Sequence, residues 1–172
     1  MRDDRTRWPA AQHADQRARA FNGLNLEVWE PSRAFLITGP KPFLQLFSPL
    51  TWPEPAQPKA GRVALSLRRD RVLVLGDPGM ATGVTADGRS LVSDMSGGFI
   101  FTRLEGAEAL TVLQSGCALD PREPSASVLR LWHGFEAMIF REGEQAFAIG
   151  VEAPWFDGLW SRLVTEAELR LL

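Results

Sequence analysis

Apolar and polar side chains alternate most clearly at 62–68, where Val63, Leu65 and Leu67 interleave with Arg62, Ser66 and Arg68, the two-residue period of a half-buried strand. Arg69-Asp70 then reverses the chain into Val72-Leu73-Val74-Leu75, which predicts a hairpin. Downstream, the turn dipeptide Asp87-Gly88 leads to a short strand at 91–93, and Gly97-Gly98 opens another at 99–104. Three apolar stretches at 127–132, 135–140 and 145–151 are separated by His133-Gly134 and by 141–144, and they predict an antiparallel meander. Helical spacing occurs twice. Residues 107–114 place Ala107, Leu110, Val112 and Leu113 largely on one face, with Gly116 placed to close the helix in the left-handed conformation. After Pro154, the pairs Trp155/Phe156, Leu159/Trp160 and Leu163/Val164 recur every four residues, the stripe of a helix packed on a sheet. The expected class is α+β, an antiparallel or mixed sheet covered on one face by a few helices.

The first third reads differently. Residues 1–20 are polar and charged around Trp8-Pro9, and the prolines at 40, 42, 49, 53, 55 and 58 deny 39–60 a regular helix or an inner strand. Between them, Phe35-Leu36-Ile37 suits a strand. The expected organisation is an N-terminal arm and proline-rich connector over 1–60 and an α+β module over 61–172. Trp8, Trp29 and Trp52 are hard to bury in one small domain and are the candidate interface anchors, since Trp is enriched at such contacts.

With 172 residues the chain is long enough for one sizeable core. A formal charge of -2 with a sequence pI near 5.7 lacks the basic surplus that nucleic acid or an anionic membrane surface demands. Lys41 and Lys59 are the only lysines among 19 basic residues. Cys117 is the single cysteine and His13 and His133 the only histidines, too poor a set for a disulfide or a structural metal site, which points to a reducing, cytoplasmic setting. The N-terminal stretch lacks the apolar core of a secretory signal, and no run is long enough to cross a bilayer as a helix.

Candidate chemistry is sparse. The glycine-rich stretch 75–83 follows a strand but has neither dinucleotide-binding spacing nor a P-loop ending, and reads as a connecting loop. Asp94 and Ser96 suit a capped turn. Cys117 with His133 is the one conceivable nucleophile and base, yet Gly116 and Ala118 suggest a small thiol filling a gap, and His133 precedes a turn glycine. The aromatics Trp132, Phe135, Phe140, Phe147, Trp155, Phe156 and Trp160 are spaced for packing. No acid, base and nucleophile set is expected, so the chain reads as a subunit or accessory module.

Certain motifs carry a family resemblance. Leu91-Val92-Ser93-Asp94-Met95-Ser96, a strand from Phe99 to Leu104, then Gly106-Ala107-Glu108-Ala109 opening a helix that ends in Leu113 resemble the folate-binding aminomethyltransferase superfamily. Gly116-Cys117-Ala118-Leu119-Asp120, then Phe147-Ala148-Ile149-Gly150-Val151-Glu152, Trp155 and Leu159-Trp160-Ser161-Arg162-Leu163, are similar to the gamma-subunit family of heterotetrameric sarcosine oxidases. The resemblance spans about 61–166. In the superfamily branch that maintains iron–sulfur proteins, Gly-Gln-Glu stands near the cysteine; here Ala118-Leu119-Asp120 follows Cys117. The resemblance implies an aminomethyltransferase-like folate-domain fold and a non-catalytic role in oxidative demethylation of sarcosine or a related N-methyl amine. It implies alpha, beta and delta partner subunits that hold FAD, FMN, NAD, tetrahydrofolate and zinc, none of them bound by this chain. The alternative it leaves is a free-standing folate-binding protein or aminomethyltransferase-like enzyme.

Overall fold

The computed structural model describes residues 17–59 and 61–171. Its strands form two antiparallel sheets where the sequence suggested one. The first has six strands in the order β1-β2-β8-β11-β10-β9, built from β1 (Ala18–Phe21), β2 (Leu24–Trp29), β8 (Phe99–Glu105), β9 (Leu129–Trp132), β10 (Phe135–Arg141) and β11 (Ala146–Glu152). The second has five in the order β4-β5-β3-β7-β6, from β3 (Ala34–Thr38), β4 (Val63–Arg68), β5 (Arg71–Leu75), β6 (Gly83–Val84) and β7 (Leu91–Asp94). The expected hairpin is β4-β5 and the expected meander is β9-β10-β11.

A strand sends alternate side chains to opposite faces, and this arithmetic explains the layers. On the six-stranded sheet, Leu26, Ile100, Ile139 and Ile149 point outward into a core closed by α2 (Ala109–Gln114) and α3 (Phe156–Leu171), to which α3 gives Phe156, Leu159 and Leu163. The opposite face sends Phe101, Met138 and Phe140 against Leu65, Leu73 and Leu75 of the five-stranded sheet. The far face of the second sheet, with Phe35, Val72 and Val74, is covered by Leu44 and Phe47. The layers therefore run helices, sheet, sheet, and a small helical cover.

The first third is woven into both sheets. β2 pairs with β8, and β3 lies between β5 and β7, so the boundary expected at residue 60 falls inside the fold. The proline-rich segment holds a one-turn helix α1 (Lys41–Leu44) and a 3-10 turn (Gln45–Phe47). Pro40 and Pro42 are accommodated because the first turn of a helix has no internal use for its N–H groups. Beyond it, Leu50 N–H donates to Ala64 O at 2.7 Å and Ser66 N–H donates to Leu50 O at 3.1 Å, which satisfies the outer edge of β4.

Gly116 differs from expectation. It has no positive φ. Its role is clearance: a Cβ there would come within 2.6 Å of His133 Cδ2 and overlap the Trp132 indole. The left-handed residues of this region are instead His133 at φ 45° and Gly134 at φ 90°, which make the tight turn between β9 and β10.

Candidate functional site

A cleft of about 550 Å³ is lined by residues of both sheets. Leu36 from the second sheet and Phe99, Leu129, Met138 and Val151 from the first give it an apolar floor. Its rim is polar: Arg68, Arg71, Glu136 and Glu152, with Trp155 projecting 62% exposed. Arg68 Nη2 binds Glu136 Oε1 at 2.9 Å, and the Arg71 guanidinium has no ion-pair or hydrogen-bond partner among the described residues. Volume, apolar lining and few polar groups suit a small ligand with a flat ring and an anionic end.

One titratable cluster borders this cleft, joining the end of α2, the β9-β10 turn and α3. Glu166, only 4% exposed, takes Arg162 Nη2 at 2.6 Å and Arg170 Nε at 3.3 Å on its two oxygens. His133 Nε2 lies 3.3 Å from Ser115 Oγ and 3.5 Å from Glu166 Oε1, and its Nδ1 lies 3.4 Å from Arg162 Nη2. Burial, reinforced by the Arg162 charge, pushes the His133 pKa down, so the ring is neutral near pH 7. Burial alone would raise Glu166, but the hydrogen bond from Arg170 and the charge of Arg162 outweigh it and hold the carboxyl below its usual range.

Serine, histidine and glutamate together invite a hydrolytic reading, and the geometry opposes it. In a triad the serine and the acid engage opposite ring nitrogens, so that the acid orients the base. Here both sit on Nε2, a guanidinium faces Nδ1, and the Ser115 hydroxyl donates to Val112 O at 2.7 Å. The cluster latches α2 and α3 to the sheet. Sequence inspection missed it because Ser115, His133 and Glu166 share no local motif, and only the turn signal at His133-Gly134 was readable.

The other candidates resolve individually. Cys117 is half-buried, burial raises its thiol pKa, and it makes no hydrogen bond to His133, so among the described residues no activating base engages it. Asp94 accepts the Ser96 N–H at 2.9 Å, while Ser96 Oγ accepts the Ala34 N–H at 3.2 Å, a capped turn. In the glycine-rich loop, Arg62 Nη1 donates to Pro78 O at 2.8 Å and Arg33 pairs with Asp77 at 3.0 Å, so its nearby cations are committed internally. Among the described residues no group of three or more His, Cys, Asp or Glu could hold a metal ion. Nor is any helix there long and apolar enough to cross a membrane.

Of the three tryptophans expected as interface anchors, the structure corrects Trp52. Trp8 lies outside the described residues. Trp52 is 2% exposed, its indole N–H donates to Asp120 O at 3.0 Å, and its ring lies 6.2 Å from that of Phe147. The backbone pairing of Trp52 with Ser125 draws it into the helix-side core, leaving no face for a partner. Trp29 is partly buried and stacks on Phe101 with centroids 4.7 Å apart.

No protein-family model matches the chain, and no curated protein matches it. Solved structures do. A chain of the heterotetrameric sarcosine oxidase from Corynebacterium sp. U-96, solved with pyrrole 2-carboxylate, aligns with a TM-score of 0.70 at 19% identity, over 100% of this chain and 97% of that one. The glycine cleavage system aminomethyltransferase T from Bartonella henselae aligns with a TM-score of 0.41 at 15% identity, over 85% of this chain and 46% of that one. At such low identity the first likeness establishes architecture: this chain has the fold of a chain of heterotetrameric sarcosine oxidase.

Proposed function

We propose that this chain is a non-catalytic, gamma-type subunit of a sarcosine-oxidase-like flavoprotein complex that oxidatively demethylates sarcosine or a related N-methyl amine. The observation that carries the reading is the fold shared, over nearly the whole of both chains, with one chain of a heterotetramer of that activity. Among the described residues, Ser115, His133 and Glu166 do not have the geometry of a triad, and His133 does not hydrogen-bond Cys117. In this reading alpha, beta and delta subunits carry FAD, FMN, NAD, tetrahydrofolate and zinc, and the assembly works in the cytoplasm. Affinity purification of the tagged chain from its native host tests this: a flavin-binding chain and a large folate- or NAD-binding chain should accompany it, and recovery as a lone monomer refutes it.

The cleft supports a second reading, a free-standing folate-binding or aminomethyltransferase-like protein. A ring against Trp155 with a carboxylate on Arg71 is compatible with its lining. Calorimetric titration with tetrahydrofolate separates the two: micromolar binding by the isolated chain favours the second reading, and absence of heat favours the subunit.

A further inference from the structure

Both lysines of this chain line the same surface groove. A depression of about 710 Å³ runs between α1, the segment after it and the β4-β5 turn, and it is lined by Lys41, Lys59, Arg68 and Arg69 with Glu54 as the lining carboxylate. All five are exposed. Arg68 is held by Glu136, whereas Lys41, Lys59 and Arg69 have no side-chain partner among the described residues. Elsewhere most arginines are committed: Arg33, Arg103, Arg122 and Arg162 bind carboxylates, and Arg62 and Arg141 bind carbonyls. In a chain of net charge -2, three of the side-chain cations without a partner among the described residues thus line one groove, while Arg19, Arg71 and Arg89 stand apart from it. The groove is longer than a single anion needs. It shares Ser48, Pro49, Glu54 and Lys59 with a neighbouring hollow of about 360 Å³, beside which Leu46 stands 69% exposed.

We propose that this groove is the docking site for an extended acidic segment of a partner polypeptide, its carboxylates on Lys41, Lys59 and Arg69 and an apolar side chain on Leu46. The proposal rests on the subunit reading above and names the chemistry of the partner. Electrostatic complementarity of this kind sets encounter rate and specificity and weakens with salt. It also relocates the interface expected of the proline-rich segment from the buried Trp52 to the cations that flank it.

The test uses the full chain and a fluorescein-labelled glutamate-rich peptide containing leucine, followed by fluorescence anisotropy. Wild type should bind, and its affinity should fall roughly tenfold between about 50 and 200 mM NaCl. Lys41→Glu/Lys59→Glu/Arg69→Glu should lose roughly tenfold or more with an unchanged melting temperature, since all three side chains are exposed. The control Arg19→Glu/Arg89→Glu should bind as wild type does. No binding by wild type, equal losses in both variants, or displacement by low-millimolar inorganic phosphate, which would mark a small-anion site, each overturns the proposal. In purification from the native host, loss of partners by the triple variant alone supports it, and retention by both wild type and variant overturns it. A wild-type chain that recovers no partner refutes the subunit reading, and the peptide measurement then decides the groove by itself.

Discussion

Replacing Trp52 by Ala decides whether the proline-rich segment belongs to the core. The indole is 2% exposed, packs beside Phe147 and donates to Asp120 O at 3.0 Å. Truncating a buried Trp removes transfer energy and leaves a cavity, at a cost of about 3–5 kcal/mol. The lost hydrogen bond adds at most about 1 kcal/mol, because Asp120 is itself partly exposed and water can reach its carbonyl. The backbone pair of Trp52 with Ser125 survives the change, since both its bonds are main-chain. About 4 kcal/mol in a chain of this size corresponds to a fall in melting temperature of roughly 8–16 °C, at about 2–4 °C per kcal/mol. Thermal melts of the isolated chain followed by circular dichroism give the number, and Trp52→Phe should recover about half of it by refilling the cavity without the donor. A fall below about 2 °C would refute the reasoning and return Trp52 to the surface.

Two further predictions rest on buried polar groups. Thr102 is fully buried at the centre of β8, level with Val28 and Ile149, and its hydroxyl has no partner among the described residues, so Thr102→Val should stabilise by about 1 kcal/mol in urea unfolding; a loss of stability contradicts this. His133 and Glu166 both have pKa values below their ordinary 6.5 and 4.5, so each contributes stability above those values that is lost as the pH falls. The melting temperature should decline first below about pH 6.5 and again below about pH 4.5, and His133→Asn, which tolerates the positive φ, should abolish the upper step; its persistence assigns it elsewhere.

Much of the fold was legible where local pattern and global position agree. Val63, Leu65 and Leu67 alternate because one face of β4 packs on the other sheet, and Phe156, Leu159, Trp160, Leu163 and Val164 lie on the six-stranded sheet, whereas Trp155, expected in the same stripe, stands exposed. The β1-β2 hairpin was overlooked although Asn22-Gly23 and the alternation of Leu24, Leu26 and Val28 mark it, because Ala18, Arg19 and Ala20 are exposed and carry no apolar period. Trp52 was misplaced for a different reason: its burial comes from pairing with Ser125, far along the chain, which no local period records. Pairing of that range also divides the strands into two sheets. The site candidates fared similarly. Asp94, Ser96 and the glycine-rich loop serve the turns that their local chemistry suggests, whereas the His133–Glu166 contact and the cleft rim are assembled by tertiary packing.

The central claim, membership of a flavoprotein assembly, is tested most directly by purifying the tagged chain from its native host under mild salt and recording mass, composition and visible absorbance. The account predicts a stable complex that contains a large folate- or NAD-binding chain and a flavin-binding chain, with flavin absorbance in fixed ratio to the tagged chain. A colourless preparation of this chain alone would contradict it.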